Sequence, residues 1–383
     1  MLSLRKPGGL VLSTKGLDAT KVKITSVVGA RPQFVKAAPL IRAIHQSPIT
    51  IDHLLVHTGQ HYDIELSKIF FDELGIPKPD YNLEVGSDTH ARQTAKMMIS
   101  IEDTLVAEKP DLVLVYGDTN STLAGALAAV KLHILVAHVE AGPRMFDKNI
   151  PEEVNRVLTD HVSSFLFAPT RTAVDNLKRE GINNGVYLTG DVMLDSFLHF
   201  SRIAEKKSKI LEQLQLSKGE YMLATVHRAR NTDNEENLRS IIEAFLSTKE
   251  KIVFPVHPRT QKMLKQFDLI NQSLITNHQL LLIDPVGYLD SIILTQNAKK
   301  VLTDSGGLQK EAYFSKVPCI TLDEATGWPE TVEDGWNTLV SSNKDKIIEA
   351  VKRFGSKGNQ RDVFGDGKAA ERIVEILASS RYN

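Results

Sequence analysis

The 383-residue chain has a single cysteine, Cys319. One thiol excludes an internal disulfide and a cysteine-rich zinc site, and it suits a reducing compartment. Cys319 lies in the apolar run KVPCITL, where a buried, inert thiol is expected. No stretch approaches the ~18 consecutive apolar residues of a membrane-spanning helix. The opening twenty residues are broken by Pro7, Gly8, Gly9 and Gly16 and lack the apolar centre of a secretion signal. They read as a loose extension, 1–20, ahead of the first strand. An excess of one charge is missing too: 46 Lys+Arg stand against 47 Asp+Glu, for a net charge of −1. That disfavours a nucleic acid backbone as the main partner, while leaving room for a locally basic, phosphate-binding cleft. Neither G-x-G-x-x-G nor G-x-x-x-x-G-K-[ST] occurs, and no G-x-S-x-G elbow is present. Nicotinamide, P-loop and α/β-hydrolase chemistries are therefore disfavoured. There is no fixed-period repeat and no low-complexity tract.

What is present is an alternation. Short runs rich in Val, Ile and Leu fall at 23–28, 53–57, 111–117, 134–140 and 165–169. A second set falls at 222–227, 252–257, 280–284, 300–304 and 318–322. Helix-prone stretches separate them. Apolar strands alternating with helices predict parallel sheets covered on both faces, and so an α/β protein. The length suits two to three domains at ~150 residues each. A polar, charged region near 196–220 lacks a strand pattern and places the boundary close to residue 200, giving domains 21–200 and 201–365.

In open α/β sheets, ligands bind beyond the carboxyl ends of the strands. The residues there are chemically rich in both halves: Gly29-Ala30-Arg31, Gly117-Asp118, Glu140-Ala141-Gly142, His227-Arg228, His257-Pro258-Arg259 and Asp304-Ser305-Gly306-Gly307. Taken alone, the Gly306-Gly307 pair reads as a tight turn or as an anion site at a helix N-terminus. With Arg31, Lys36, His257 and Arg259 at other strand ends, an anion such as a diphosphate is favoured. Asp118, Glu140 and Glu152 supply carboxylates for acid and base work. Glu152 has a second reading, as a first-turn acid paired with Arg156 one turn on. Glu311, one turn past the glycines, reads either as a dipole-facing acid or as an acceptor for ribose hydroxyls. His227 and His257 lack metal-ligand spacing, so no metal is expected.

The ordered blocks GARPQFVKAAPLIRA, HTGQHYD, VYGDTNSTLAGALAA, HVEAGPR, PEEVNRVLTDH, VHRARNTDN, PVHPRT, DPVGYLD and TDSGGLQKEA span about residues 23–340. Together they strongly resemble the non-hydrolysing UDP-N-acetylglucosamine 2-epimerases. The resemblance implies a GT-B-like arrangement, with two Rossmann-like domains facing a cleft, and a last segment, 366–383, crossing back onto the first domain. It implies a cytoplasmic homodimer acting on a UDP-sugar, with no cofactor and no metal, nucleic acid or membrane partner. The implied reaction eliminates UDP to 2-acetamidoglucal and re-adds it after proton delivery to the other face of C2. The residues implied for catalysis are Asp118, Glu140, Glu152 and His227. Those implied for UDP are Arg31, Lys36, His257, Tyr288, Ser305, Gly306, Gly307 and Glu311, with Tyr288 beside the uracil.

Departures from the family pattern are Gln33 for a usual Glu, Pro143 for Leu, and Gly327-Trp328 for Glu-Arg. Asp63 replaces a second glutamine three positions after Gln60, which leaves an effector site at Gln60, Arg92 and Arg228 as an expectation only. GARPQF, GDVMLD and PETVEDGWN also resemble the branch acting on UDP-2,3-diacetamido-2,3-dideoxyglucuronate. A GT-B glycosyltransferase is the alternative from a different reaction class.

Overall fold

The computed structural model describes residues 22–48, 50–60, 71, 73–269, 279–356 and 358–380. The extension 1–20 and Asp63 lie outside the described residues. Among the described residues, thirteen strands form two sheets. The first holds β1 (Val22–Val28), β2 (Ile51–His57), β3 (Tyr81–Asn82), β4 (Leu112–Tyr116), β5 (Leu135–Val139), β6 (Phe165–Ala168) and β7 (Val186–Leu188). The second holds β8 (Met222–Thr225), β9 (Ile252–Pro255), β10 (Leu280–Ile283), β11 (Lys300–Thr303), β12 (Cys319–Thr321) and β13 (Asn337–Leu339). Every pairing is parallel. The orders are β3-β2-β1-β4-β5-β6-β7 and β10-β9-β8-β11-β12-β13. Both orders reverse beside their first strand, at β1/β4 and β8/β11, and such a reversal opens a crevice at the strand ends.

The apolar strand runs are explained by burial on both faces. All five residues of β4 are buried, as are all four of β11. Three short edge strands, β3, β7 and β13, went unpredicted because two or three residues carry no readable alternation.

The boundary expected at residue 200 falls inside one helix, Val192–Lys207. This helix packs on Arg31–Gln46 and on Tyr288–Asn297, so it touches both lobes. Buried residues of both lobes share one apolar cluster, including Phe34, Phe197, Phe200, Tyr288 and Ile292. The last described helix, Ala369–Ser379, packs against Arg31–Gln46 of the first lobe. Its first amides are capped by a buried acid, with Ala370 N–H donating to Asp195 Oδ2 at 2.7 Å and Ala369 N–H to Oδ1 at 3.2 Å.

Candidate active site

A cleft of about 310 Å³ opens between the two sheets' reversal points. Its lining includes Arg31, His227, His257, Tyr288, Ser305, Gly307 and Glu311, drawn from both lobes.

The first loop sets Arg31. Gly29 sits where a Cβ would lie 2.0 Å from Thr58 Oγ1 and 2.2 Å from Ser121 Oγ, so only glycine fits. Gln33 fixes the turn. Its Oε1 accepts N–H bonds from Gly29 and Ala30, at 2.8 and 3.1 Å, and its Nε2 donates to Tyr116 O and Thr122 Oγ1, at 3.1 and 3.0 Å. A glutamate here would have no N–H to donate to the Tyr116 carbonyl. Arg31 is thereby placed as the first residue of helix Arg31–Gln46.

In the second lobe, Ser305 is the N-cap of helix Gly306–Phe314, and its Oγ accepts from Leu308 N–H. Gly306 and Gly307 are thus the first helical residues, and neither has a positive φ. Of the two sequence readings, the pair thus lies at the helix N-terminus and not in a turn before it. The Ser305 side chain caps Leu308, and the Gly306 and Gly307 amides precede it in the first turn, the usual seat of an anion. His257 is the N-cap of Pro258–Gln266, its Nδ1 accepting from Arg259 N–H at 3.2 Å. His227 lies 5.7 Å from His257, ring to ring, with its side chain 39% exposed. Its backbone N–H is held by the fully buried Asp304, which also accepts from Arg228 N–H and Asn231 Nδ2. Arg259 turns away to pair with Asp233.

Tyr288 and Glu311 share a side-chain hydrogen bond in the cleft wall. Burial pushes the Glu311 carboxyl up to about 7, against that hydrogen bond and the nearby Lys310 charge.

The acids lie on the first lobe. Glu140 is buried at the end of β5 with φ +72. Its Oε1 is 2.8 Å from Lys36 Nζ and its Oε2 is 2.7 Å from Lys310 Nζ. Burial by itself raises this carboxyl, but Lys310 and then Lys36 outweigh it and hold the group down to about 2. Lys36, expected against UDP, is therefore engaged with Glu140. Gly117, at φ +62, makes room for it, since a Cβ there would lie 2.8 Å from Lys36 Nζ.

Asp118 pairs with Arg156, whose other arm is 2.5 Å from Glu153. Arg156 is buried, which works against its charge, but Asp118 and Glu153 raise its pKa. The expected Glu152–Arg156 pair is replaced by Glu153–Arg156. Buried Glu153 also accepts from Met145 and Phe146 N–H, whereas Glu152 is exposed. Beneath these loops His138 Nε2 meets the Gly117 carbonyl at 2.7 Å, and its Nδ1 meets Asp160 at 2.7 Å.

The expected effector residues are not joined by any hydrogen bond or ion pair among the described residues. Gln60 Oε1 accepts from Ser121 Oγ at 2.7 Å, Arg92 is exposed beside Asp88, and Arg228 pairs with Asp323 at 2.9 Å. Sequence reading missed Lys310 and Glu73, whose partners lie 119, 170 and 215 residues along the chain. Among the described residues no group of three His, Cys, Asp or Glu is arranged to hold a metal ion.

Two Rossmann-type sheets flanking a cleft, with amide and histidine groups lining it and clamped carboxylates on the first lobe, define a GT-B-like enzyme. The model of the UDP-N-acetylglucosamine 2-epimerase family matches residues 42–378. The chain belongs to that family, and it is an isomerase. It is 57% identical over 359 residues to a UDP-N-acetylglucosamine 2-epimerase homolog of Methanococcus maripaludis, covering 93% of this chain and 99% of the relative. It is 47% identical to the UDP-2,3-diacetamido-2,3-dideoxy-D-glucuronate 2-epimerase of Pseudomonas aeruginosa, covering 93% and 99%. The crystal structure of Methanocaldococcus jannaschii UDP-GlcNAc 2-epimerase with UDP-GlcNAc and UDP is similar at a TM-score of 0.89. That pair is 49% identical, with 94% of this chain and 100% of the other covered.

Proposed function

We propose that this chain interconverts UDP-GlcNAc and UDP-ManNAc by eliminating UDP to enzyme-bound 2-acetamidoglucal and adding it back. The observation that carries the reading is the division of the cleft. Histidine and helix-start amide groups of the second lobe and Arg31 of the first line it, and the carboxylates Asp118 and Glu140 stand on the first lobe outside that lining. The C2–H of the sugar is weakly acidic, so cleavage of the anomeric C–O bond leads. Arg31, His257 and the Ser305–Gly307 turn stabilise the departing diphosphate, which is the largest charge to develop. Glu311 receives the ribose hydroxyls and Tyr288 lies beside the uracil. One carboxylate among Asp118, Glu140 and Glu152 takes the C2 proton and another group returns one to the opposite face, with His227 beside them.

A second reading, the UDP-diacetamido-glucuronate, is supported by the blocks GARPQF, GDVMLD and PETVEDGWN and by the 47% identity to the Pseudomonas aeruginosa enzyme of that name. The enzyme acts in the cytoplasm as a homodimer. The apolar face of helix His90–Glu108, with Ile99 63% and Val106 54% exposed, suits the contact between subunits.

The test is incubation with each sugar in D2O, without acceptor, metal or nicotinamide, following the C2 proton by NMR. Loss of the signal with growth of the manno isomer is expected with UDP-GlcNAc. Exchange only with the diacetamido-glucuronate selects the second reading. Exchange with neither overturns both.

A further inference from the structure

Lys310 is the most deeply buried cation of the cleft region, with a side chain 1% exposed. It stands in the second-lobe helix Gly306–Phe314 and reaches a carboxylate of the first lobe. Its ammonium lies 2.7 Å from Glu140 Oε2, 2.5 Å from Asp191 Oδ2 and 3.8 Å from the centroid of the Trp328 ring. Its N–H groups thus have two carboxylates and an aromatic face as partners. Asp191 sits at the junction between the lobes, where it caps helix Val192–Lys207 through Oδ1. The charged groups that face Glu140 are Lys36 from the first helix and Lys310, with Asp191 behind it. Two cations and two anions balance.

We propose that Lys310 is a positioning residue for the epimerase reaction, an inference that rests on the function proposed above. It fixes the rotation of the Glu140 carboxylate and makes that carboxylate's readiness depend on the two lobes being together. Each oxygen of Glu140 is held by a different ammonium, so the group has one orientation. A proton arriving on either oxygen must displace an ammonium contact. Glu140 is therefore held as the free carboxylate, suited to taking the C2 proton of the sugar. Movement of the second lobe away from the first withdraws Lys310 from Glu140 and leaves Lys36 alone. Trp328 closes the outer side of Lys310 and keeps water from it.

The test compares Lys310→Met with the double variant Lys310→Met/Asp191→Asn. The single change leaves one cation against two anions. The double change restores neutrality, and asparagine keeps the helix cap. If the single variant fails to fold, the double variant is the one read. Both are expected to bind UDP as the wild type does. Both are expected to lose about 10²-fold in kcat with KM changed by less than about threefold. The acid limb of the kcat–pH profile should move up by about one unit or more. A double variant with wild-type kcat and profile would mean that Lys310 only neutralises Asp191, and would overturn the proposal. Wild-type protein is the control: no C2 exchange with either sugar overturns the functional reading instead. In that event a carboxyl-13C titration of glutamate-labelled protein still decides, with the Glu140 signal assigned by its loss in Glu140→Gln. An upward shift in the double variant upholds the clamp, and an unchanged titration overturns it.

Discussion

Glu73 of the first lobe caps a helix of the second. Its Oε2 accepts the backbone N–H of Tyr288 at 2.7 Å and of Leu289 at 3.3 Å. Gly287 permits the approach, since a Cβ there would lie 2.3 Å from Glu73 Oε1. One carboxylate thus both caps helix Tyr288–Asn297 and joins the lobes beside the cleft. Glu73→Ala is expected to cost about 1 kcal/mol of stability, as a lost cap does. It should also raise KM for the UDP-sugar with kcat little changed, because the closed arrangement is less favoured. Thermal unfolding and steady-state kinetics check the two parts separately.

The Asp118–Arg156 pair separates binding from turnover. Asp118→Asn keeps the shape of the side chain and removes its charge, and Asp118 is not among the residues lining the nucleotide cleft. UDP affinity by calorimetry should stay within about twofold, while kcat falls at least about 10²-fold, the usual contribution of a positioned acid or base. A variant that retains turnover would remove Asp118 from the reaction.

Gly306→Ala tests the amide site. Gly306 has helical backbone, which alanine also adopts. Its Cβ would lie 3.3 Å from Nε1 of the buried Trp328, at the mouth of the helix, so the indole must give by a few tenths of an ångström. Expected is a melting temperature little changed with UDP affinity reduced about tenfold, as the phosphate is kept from the amides.

The strand alternation, the crevice positions and the block order were legible in the sequence, because each is local. Runs such as LVLVY need only their own neighbours to be read as a buried parallel strand. Ser305 and His257 were legible as strand-end residues for the same reason. Lys310 was not: its partners lie 119 and 170 residues away in sequence, and on a helix it reads as one more solvated lysine. Glu152 and Glu153 are adjacent, and only tertiary packing shows that Glu153, not Glu152, turns inward to Arg156.

Glu311 gives the pH dependence of stability a sign. Burial raises its folded-state value to about 7, above the 4.5 of an unperturbed carboxyl. Below pH 4.5 both folded and unfolded states hold the proton. Between about 4.5 and 7 the unfolded chain releases it first, so stability falls as pH rises through that window. Asp195, raised by burial to about 6 despite the Ala370 and Ala369 N–H donors, acts in the same direction. His53, which burial pushes down to about 4, acts in the opposite direction, so Glu311→Gln should remove the Glu311 part of the falling slope and leave Asp195 and His53 opposed. Urea melts at intervals from pH 4.5 to 7.5 measure it.

The central claim is that the cleft breaks the anomeric C–O bond and remakes it. It is tested most directly with UDP-GlcNAc carrying 18O in the bridge between C1 and the β-phosphorus. The account predicts that the label scrambles into the non-bridging β-phosphate oxygens as the manno isomer forms, because UDP is released within the site and rotates before re-addition. Epimerisation with the label retained in the bridge and no 2-acetamidoglucal or UDP detectable on quenching would contradict the account.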